Sequence, residues 1–239
     1  MSTLFLVRHG QASFGTSNYD QLSQTGIEQA RKLGHFWSNR GLEFSEVFSG
    51  DLQRQIASAN NALETYGQVG GRCSPEVEIL PGLNEYNSEH LMTTLKQELA
   101  EKHANIALLD GELEKASGDT QRYRAFHRLL EAVMAHYISG EYESSGFETW
   151  AAFHTRVSEC FQAIRSRTGR GRSVAVFTSG GPIGVMMQLV LSAPQKVALD
   201  LHWRIFNCSV TKFTFNTERI SLDSFNATDH LPPELLTYR

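Results

Sequence analysis

The chain opens on Thr3-Leu4-Phe5-Leu6-Val7, an unbroken apolar run that stops in Arg8-His9-Gly10-Gln11. β-Branched, aromatic and leucine side chains without polar alternation describe a strand buried on both faces, as in a parallel sheet covered by helices. Such sheets bind ligands at the carboxyl ends of their strands, which is where Arg8 and His9 stand. Arginine offers a planar fork of donors to phosphate oxygens. A histidine near neutral pH offers a ring nitrogen as base or nucleophile, and Gly10 lets backbone amides come close to an anion. Three residues are a weak motif, so the weight falls on what the other strands bring.

Downstream, Thr25-Gly26-Ile27-Glu28 has capping-box spacing. The helix it announces carries Ala30, Leu33, Phe36 and Trp37 on one face and ends at Gly41. Phe44 to Phe48 reads as a second strand. It delivers Ser49-Gly50-Asp51-Leu52-Gln53-Arg54 into a second helix running to about Tyr66, with Ser49 or Asp51 as its cap. A first-turn arginine opposes the helix dipole, so Arg54 points to a bound anion as readily as to solvent. Val77, Ile79 and Leu80 form a short third strand leading to Leu83-Asn84-Glu85. Partial desolvation there suits Glu85 to hold a proton for general-acid work.

Residues from about 86 to 146 change character: helical, charged and without strand signals. Leu91, Leu95 and Leu99 share a face, as do Phe126, Leu129, Leu130 and Val133, with an acidic, glycine-containing stretch from Asp110 to Asp119 between them. This reads as a helical insertion, a cap over the strand ends. Its Arg122, Arg124 and Arg128 could help bind substrate, with solvated charges as the default reading. A helix then spans roughly Phe147 to Arg167. The strand Ser173-Val174-Ala175-Val176-Phe177 follows, ending in Thr178-Ser179-Gly180-Gly181-Pro182. Proline at a first helical position behind two glycines leaves amides open at a helix amino terminus, an anion site. Ser209–Phe215 and Ile220–Phe225 form a hairpin at the sheet edge, and an extended tail starts at Leu231. His90, His154 and His202 stand in helix or loop contexts and read as structural.

A net charge of −4 argues against nucleic acid as a partner and for a local positive pocket. Cys73, Cys160 and Cys208 lack metal-ligand or disulfide spacing. Together with the absence of leader-like and membrane-length segments, this gives the expectation of a cytoplasmic protein.

In order, these motifs resemble the histidine phosphatase superfamily, the phosphoglycerate-mutase-like fold. Leu6-Val7-Arg8-His9-Gly10-Gln11, Ser49 to Arg54, Leu83-Asn84-Glu85 and Asn207-Cys208-Ser209-Val210-Thr211 carry the resemblance along nearly the whole chain. It implies a single domain over residues 1–239: a three-layer α/β/α sandwich around a mostly parallel sheet, with the helical insertion. It also implies phosphomonoester hydrolysis with His9 as phosphoryl acceptor and Glu85 as general acid and base. Arg8 and Arg54 would clamp the phosphate, with Gly10, Gln11 and Gly180 lining its site. No metal or other cofactor is called for. The partner would be a small phosphorylated substrate, and a homo-oligomer stays open. One position departs from the family, which carries a second histidine where this chain has Ser179. Ser179 and the glycine amides after it would have to donate in its place. Two other readings stand beside phosphatase: a phospho-ligand binding protein that has lost catalysis, and a sugar-phosphate mutase. The mutase ranks last, because the segment after His9 has Gly15 and no asparagine at the mutase-like position.

Overall fold

The computed structural model describes residues 1–13, 20–71, 75–140 and 147–238; Gly15 and Cys73 lie outside them. Strand β1 (Ser2–Arg8) forms as its apolar run demands, with Leu4 to Val7 no more than 7% exposed. It lies in a six-stranded sheet with β2 (Glu46–Ser49), β3 (Val77–Ile79), β4 (Ser173–Thr178), β5 (Val210–Phe215) and β6 (Ile220–Ala227). The order is β3-β2-β4-β1-β5-β6. The first four strands are mutually parallel, and the β5–β6 hairpin joins β1 antiparallel. Helices α1 (Gln24–Asn39) and α2 (Gln53–Gln68) make the crossovers between β1, β2 and β3, and α7 (Trp150–Arg167) leads into β4. Beyond β4 lie α8 (Gly180–Val190) and α9 (Lys196–His202).

Strand alternation decides which helices cover which face. Phe5 and Val7 pack with Ala30, Leu33 and Trp37 of α1 and with Ala59, Leu63 and Tyr66 of α2. Trp37 meets the edges of Phe5 and Phe177 at ring-centre distances of 6.4 and 5.9 Å, a geometry that adds to plain area burial. Leu4 points the other way, into an apolar cavity it shares with Phe161 and Ile164 of α7 and Met186 of α8. The expected α/β fold with a mostly parallel sheet is therefore present.

The chain divides into two compact units, Met1–Glu85 with Arg156–Arg239, and Tyr86–Thr155. The first holds the sheet. The second is helical: α3 (Ser88–His90), a π-helical turn (Leu91–Leu95), α4 (Lys96–Lys102), α5 (Ala104–Lys115), α6 (Asp119–Ser139) and the first turns of α7. Its core takes Leu91, Leu95, Leu99, Leu129, Leu130 and Val133, as their spacing foretold. The acidic stretch from Asp110 begins as helix, with Lys96 Nζ 2.8 Å from Asp110. Arg122 and Arg124 are exposed, and Arg128 meets Glu112 on the surface.

Four local expectations change. Helix α1 is capped by Ser23, whose Oγ accepts from the Gly26 amide at 3.1 Å, not by Thr25. Helix α2 takes neither Ser49 nor Asp51; its Gln53 amide donates to the Asp20 carboxylate at 2.9 Å. Helix α8 starts at Gly180, so Pro182 is inside its first turn. The tail from Leu231 is not extended throughout: it makes a 3-10 turn (Pro233–Leu235) and packs onto the fold. Leu231 and Leu235 are buried, and the Asn207 amide donates to the Thr237 carbonyl at 2.8 Å.

His230, at the start of that tail, donates from Nε2 to the Cys208 carbonyl at 3.0 Å, and burial pushes its pKa down to about 4. The unfolded chain, with His230 near the ordinary 6.5, binds this proton more readily than the folded one. Stability therefore falls as pH drops from about 6.5 towards 4, by up to about 3 kcal/mol from this group. We expect urea titrations at pH 7 and pH 5 to show a smaller acid loss in His230→Gln than in the unaltered protein. Equal losses would remove His230 as the source.

Candidate active site

Strand β1 carries His9 to the rim of the sheet, and three sequence-remote partners fix its backbone there. The His9 amide donates to the Thr178 carbonyl at 2.8 Å. Its carbonyl accepts from the Cys208 amide at 3.1 Å and from Asn207 Nδ2 at 3.4 Å. Cys208 makes its bond from a left-handed backbone (φ 57°), an uncommon conformation for a side-chain-bearing residue. Burial also pushes its thiol pKa up, so it is a packed, inert group.

The His9 ring is oriented just as closely. Nδ1 lies 2.7 Å from the Gly10 carbonyl, which can only accept, so Nδ1 carries the proton and Nε2 presents a lone pair. Arg54 Nε donates to that Nε2 at 3.2 Å. Burial, then the charges of Arg54 and Arg8, hold the imidazole pKa well below the usual 6.5, against the opposing pull of the Gly10 carbonyl; His202 adds to the depression. His9 is thus a neutral imidazole at neutral pH, set between two arginine cations.

Arg8 is buried and its Nη1 donates to the Ile205 carbonyl. Arg54 is buried too. Its Nη1 lies 2.6 Å from Asp20 Oδ1, while the other Asp20 oxygen caps α2. The first-turn arginine therefore has a carboxylate partner from another segment, which spacing around Arg54 did not reveal. Gly10 donates its amide to Ser58 Oγ at 2.9 Å, and Ser58 donates onward to the Arg54 carbonyl at 2.7 Å, so the two motifs are stitched together. Gln11 is drawn towards α1: its Oε1 accepts from Ser23 Oγ and its amide donates to Gln29 Oε1.

Glu85 reaches the same rim after a 3-10 turn (Pro81–Leu83). Arg156 Nη1 donates to the carbonyls of Pro81, Gly82 and Asn84 at 3.0–3.2 Å, pinning that turn, a role its place within a helix did not suggest. Glu85 Oε2 accepts from the Gly181 amide at 2.9 Å, so the α8 amino terminus already holds one oxygen of the Glu85 carboxyl group. Ser179 is fully buried. Its Oγ accepts from Gln55 Nε2 at 2.8 Å instead of capping α8, which leaves the hydroxyl hydrogen to find another acceptor. Gln55 was not singled out from the sequence.

His202 corrects an expectation. Read as merely structural, it sits at the end of α9 with Nδ1 4.0 Å from Glu85 Oε2. Helix α9 itself passed unnoticed. Pro194 before Lys196-Val197-Ala198-Leu199, with Ala198, Leu199 and His202 on one buried side, was the available signal. Among the described residues no group of three or more His, Cys, Asp or Glu side chains is placed to hold a metal ion, and no helix is long and apolar enough to cross a membrane.

The model of the histidine phosphatase superfamily (branch 1) matches residues 4–143 and 111–228. A 2,3-bisphosphoglycerate-dependent phosphoglycerate mutase of Lactobacillus johnsonii is 34% identical over 111 residues, 44% of this chain and 46% of that protein. The chain thus spans about half the length of that relative. Among solved structures, phosphoglycerate mutase from Bacillus anthracis superposes with a TM-score of 0.64 at 21% identity, covering 96% of this chain and 94% of that one. A phosphoserine phosphatase from Entamoeba histolytica, solved with phosphoserine, gives 0.61 at 18% identity over 97% and 100%.

Proposed function

Since the chain belongs to the histidine phosphatase superfamily (branch 1), we propose that it hydrolyses phosphomonoesters through a phosphohistidine at His9. The observation that carries this reading is the His9 ring itself: Nδ1 tied to the Gly10 carbonyl, Nε2 bare of its proton and met by Arg54. Arg8 and Arg54 serve as the cationic clamp for a small phosphorylated substrate. In the first step His9 Nε2 forms a bond to phosphorus as the ester P–O bond breaks, and Glu85 gives its proton to the departing oxygen. In the second, water loses a proton to Glu85 and attacks phosphorus; the P–N bond breaks, and its electrons return to Nε2. Positioning and charge stabilisation do most of the work in phosphoryl transfer, and this constellation supplies both. In this reading Ser179 stands where the family carries its second histidine, and it contributes a hydroxyl donor whose acceptor side Gln55 already occupies.

Incubation with p-nitrophenyl phosphate, followed by an alkaline quench and analysis for acid-labile phosphate on protein, tests the reading. We expect turnover, a trapped phosphoenzyme, and an acid limb of kcat/KM below pH 6.5, because His9 stays neutral there. Phosphate binding without turnover or phosphoenzyme would replace the phosphatase by a binding protein. Transfer between phosphoglycerates that requires a bisphosphate primer would replace it by a mutase.

A further inference from the structure

We propose that His202 is a second imidazole of this site: carried in from α9, it donates a hydrogen bond to the phosphoryl group while it passes to and from His9. The inference rests on the phosphohistidine reading above and deepens it. His202 is buried, at 7% exposure, although its ring is polar on two atoms. It reaches the amino terminus of α8 because residue 180 has no side chain. A Cβ on Gly180 would meet His202 Nδ1 at 3.3 Å and Cε1 at 3.4 Å, tighter than an ordinary contact. The ring and Glu85 flank the same helix start: Glu85 Oε2 takes the Gly181 amide at 2.9 Å and stands 4.0 Å from His202 Nδ1. Trp203 closes one side edge-on, with ring centres 4.8 Å apart.

Two features favour the protonated ring there. Glu85 beside it becomes a carboxylate as it gives up its proton, and the ring lies in the last turn of α9, where a helix stabilises a cation. A charged His202 is also one of the influences that keep His9 unprotonated. The two imidazoles thus divide the work: one neutral and nucleophilic, the other cationic and donating. His202 keeps its proton throughout; the hydrogen bond it gives a phosphoryl oxygen strengthens as charge builds there. The loss of one such donor lowers kcat by about 100-fold.

The test compares unaltered protein, His202→Ala and His202→Gln with p-nitrophenyl phosphate, measuring steady-state kcat and KM and the rate of phosphoenzyme formation by rapid quench. We expect kcat and phosphoenzyme formation to fall together by about 100-fold in His202→Ala, KM to move much less, and added imidazole to restore part of the rate. His202→Gln keeps a planar N–H donor of similar reach and covers the case in which His202→Ala fails to fold; it should retain more activity than alanine. Turnover within about twofold of the unaltered rate, or a loss that imidazole leaves untouched and that tracks a lowered Tm, overturns the inference. If the unaltered protein forms no phosphohistidine, the reading of the site falls as well. If it forms one and the variants match its rate, the role of His202 alone falls.

Discussion

Replacing His9 by alanine is expected to lower turnover of p-nitrophenyl phosphate by about 10⁴-fold or more and to abolish the acid-labile phosphoenzyme, since removal of a nucleophile leaves only the residual rate that binding and charge stabilisation give. The size of the effect follows from the geometry. Nε2 is held without its proton by the Nδ1 bond to Gly10 and lies against Arg54, and the depressed pKa keeps that lone pair available across neutral pH. The fold should survive, because the backbone of residue 9 is held by Thr178, Cys208 and Asn207 whatever its side chain, and Arg54 keeps Asp20. Phosphate affinity should therefore persist in the variant, measured by its protection against thermal unfolding. Activity within tenfold of the original would mean that phosphorus is attacked by another group.

Gly34→Ala is expected to destabilise the protein by about 3 kcal/mol even though alanine is the better helix former by about 1 kcal/mol. A Cβ at position 34 of α1 would sit 2.1 Å from the Ala62 carbonyl oxygen and 3.0 Å from the Tyr66 amide nitrogen, both backbone atoms of α2. No side-chain rotation relieves that contact. The helices must part, opening the packing of Leu33, Trp37, Leu63 and Tyr66 at the centre of the core. Overpacking of this kind commonly costs about 1–3 kcal/mol, and more when backbone must move, so the steric term outweighs propensity. Gly67→Ala near the end of α2 is the control: nothing lies within 4 Å of its Cβ, and propensity alone predicts a gain of up to about 1 kcal/mol. Urea denaturation of both variants gives the comparison, and shifts of the same sign would refute the helix-contact argument.

What could be read from the chain and what could not separates along the range of the interactions concerned. Strands β1 and β4 announce themselves because burial on both faces forces an unbroken apolar run, and the leucine stripes of the helical unit do so through their spacing. The cap of α2 escapes local patterns because its capping group is remote: Asp20 reaches Gln53 across the fold. The candidate site was legible where strand ends present it, at Arg8, His9, Arg54, Glu85 and Ser179. The groups that orient these residues were missed. Gln55 and Arg156 look like ordinary helical polar residues until the fold brings a buried hydroxyl and a turn of carbonyls to them. Nothing in the chain around His202 says that α9 ends against Glu85.

The place of β1 in the sheet has a consequence in time. Strand β1 is made well before both its neighbours: Thr3 pairs with Ser173 on one side, and Ser2 with Phe215 on the other. Loop closures of that span are slow and form late. A growing chain therefore displays this apolar strand, with Arg8 and His9 attached, until β4 and β5 have been made. A product cut short just before Val210 would contain every motif residue from Arg8 to Ser179 and still lack one wall of β1. His9 is thus made long before the strands that lock it in position.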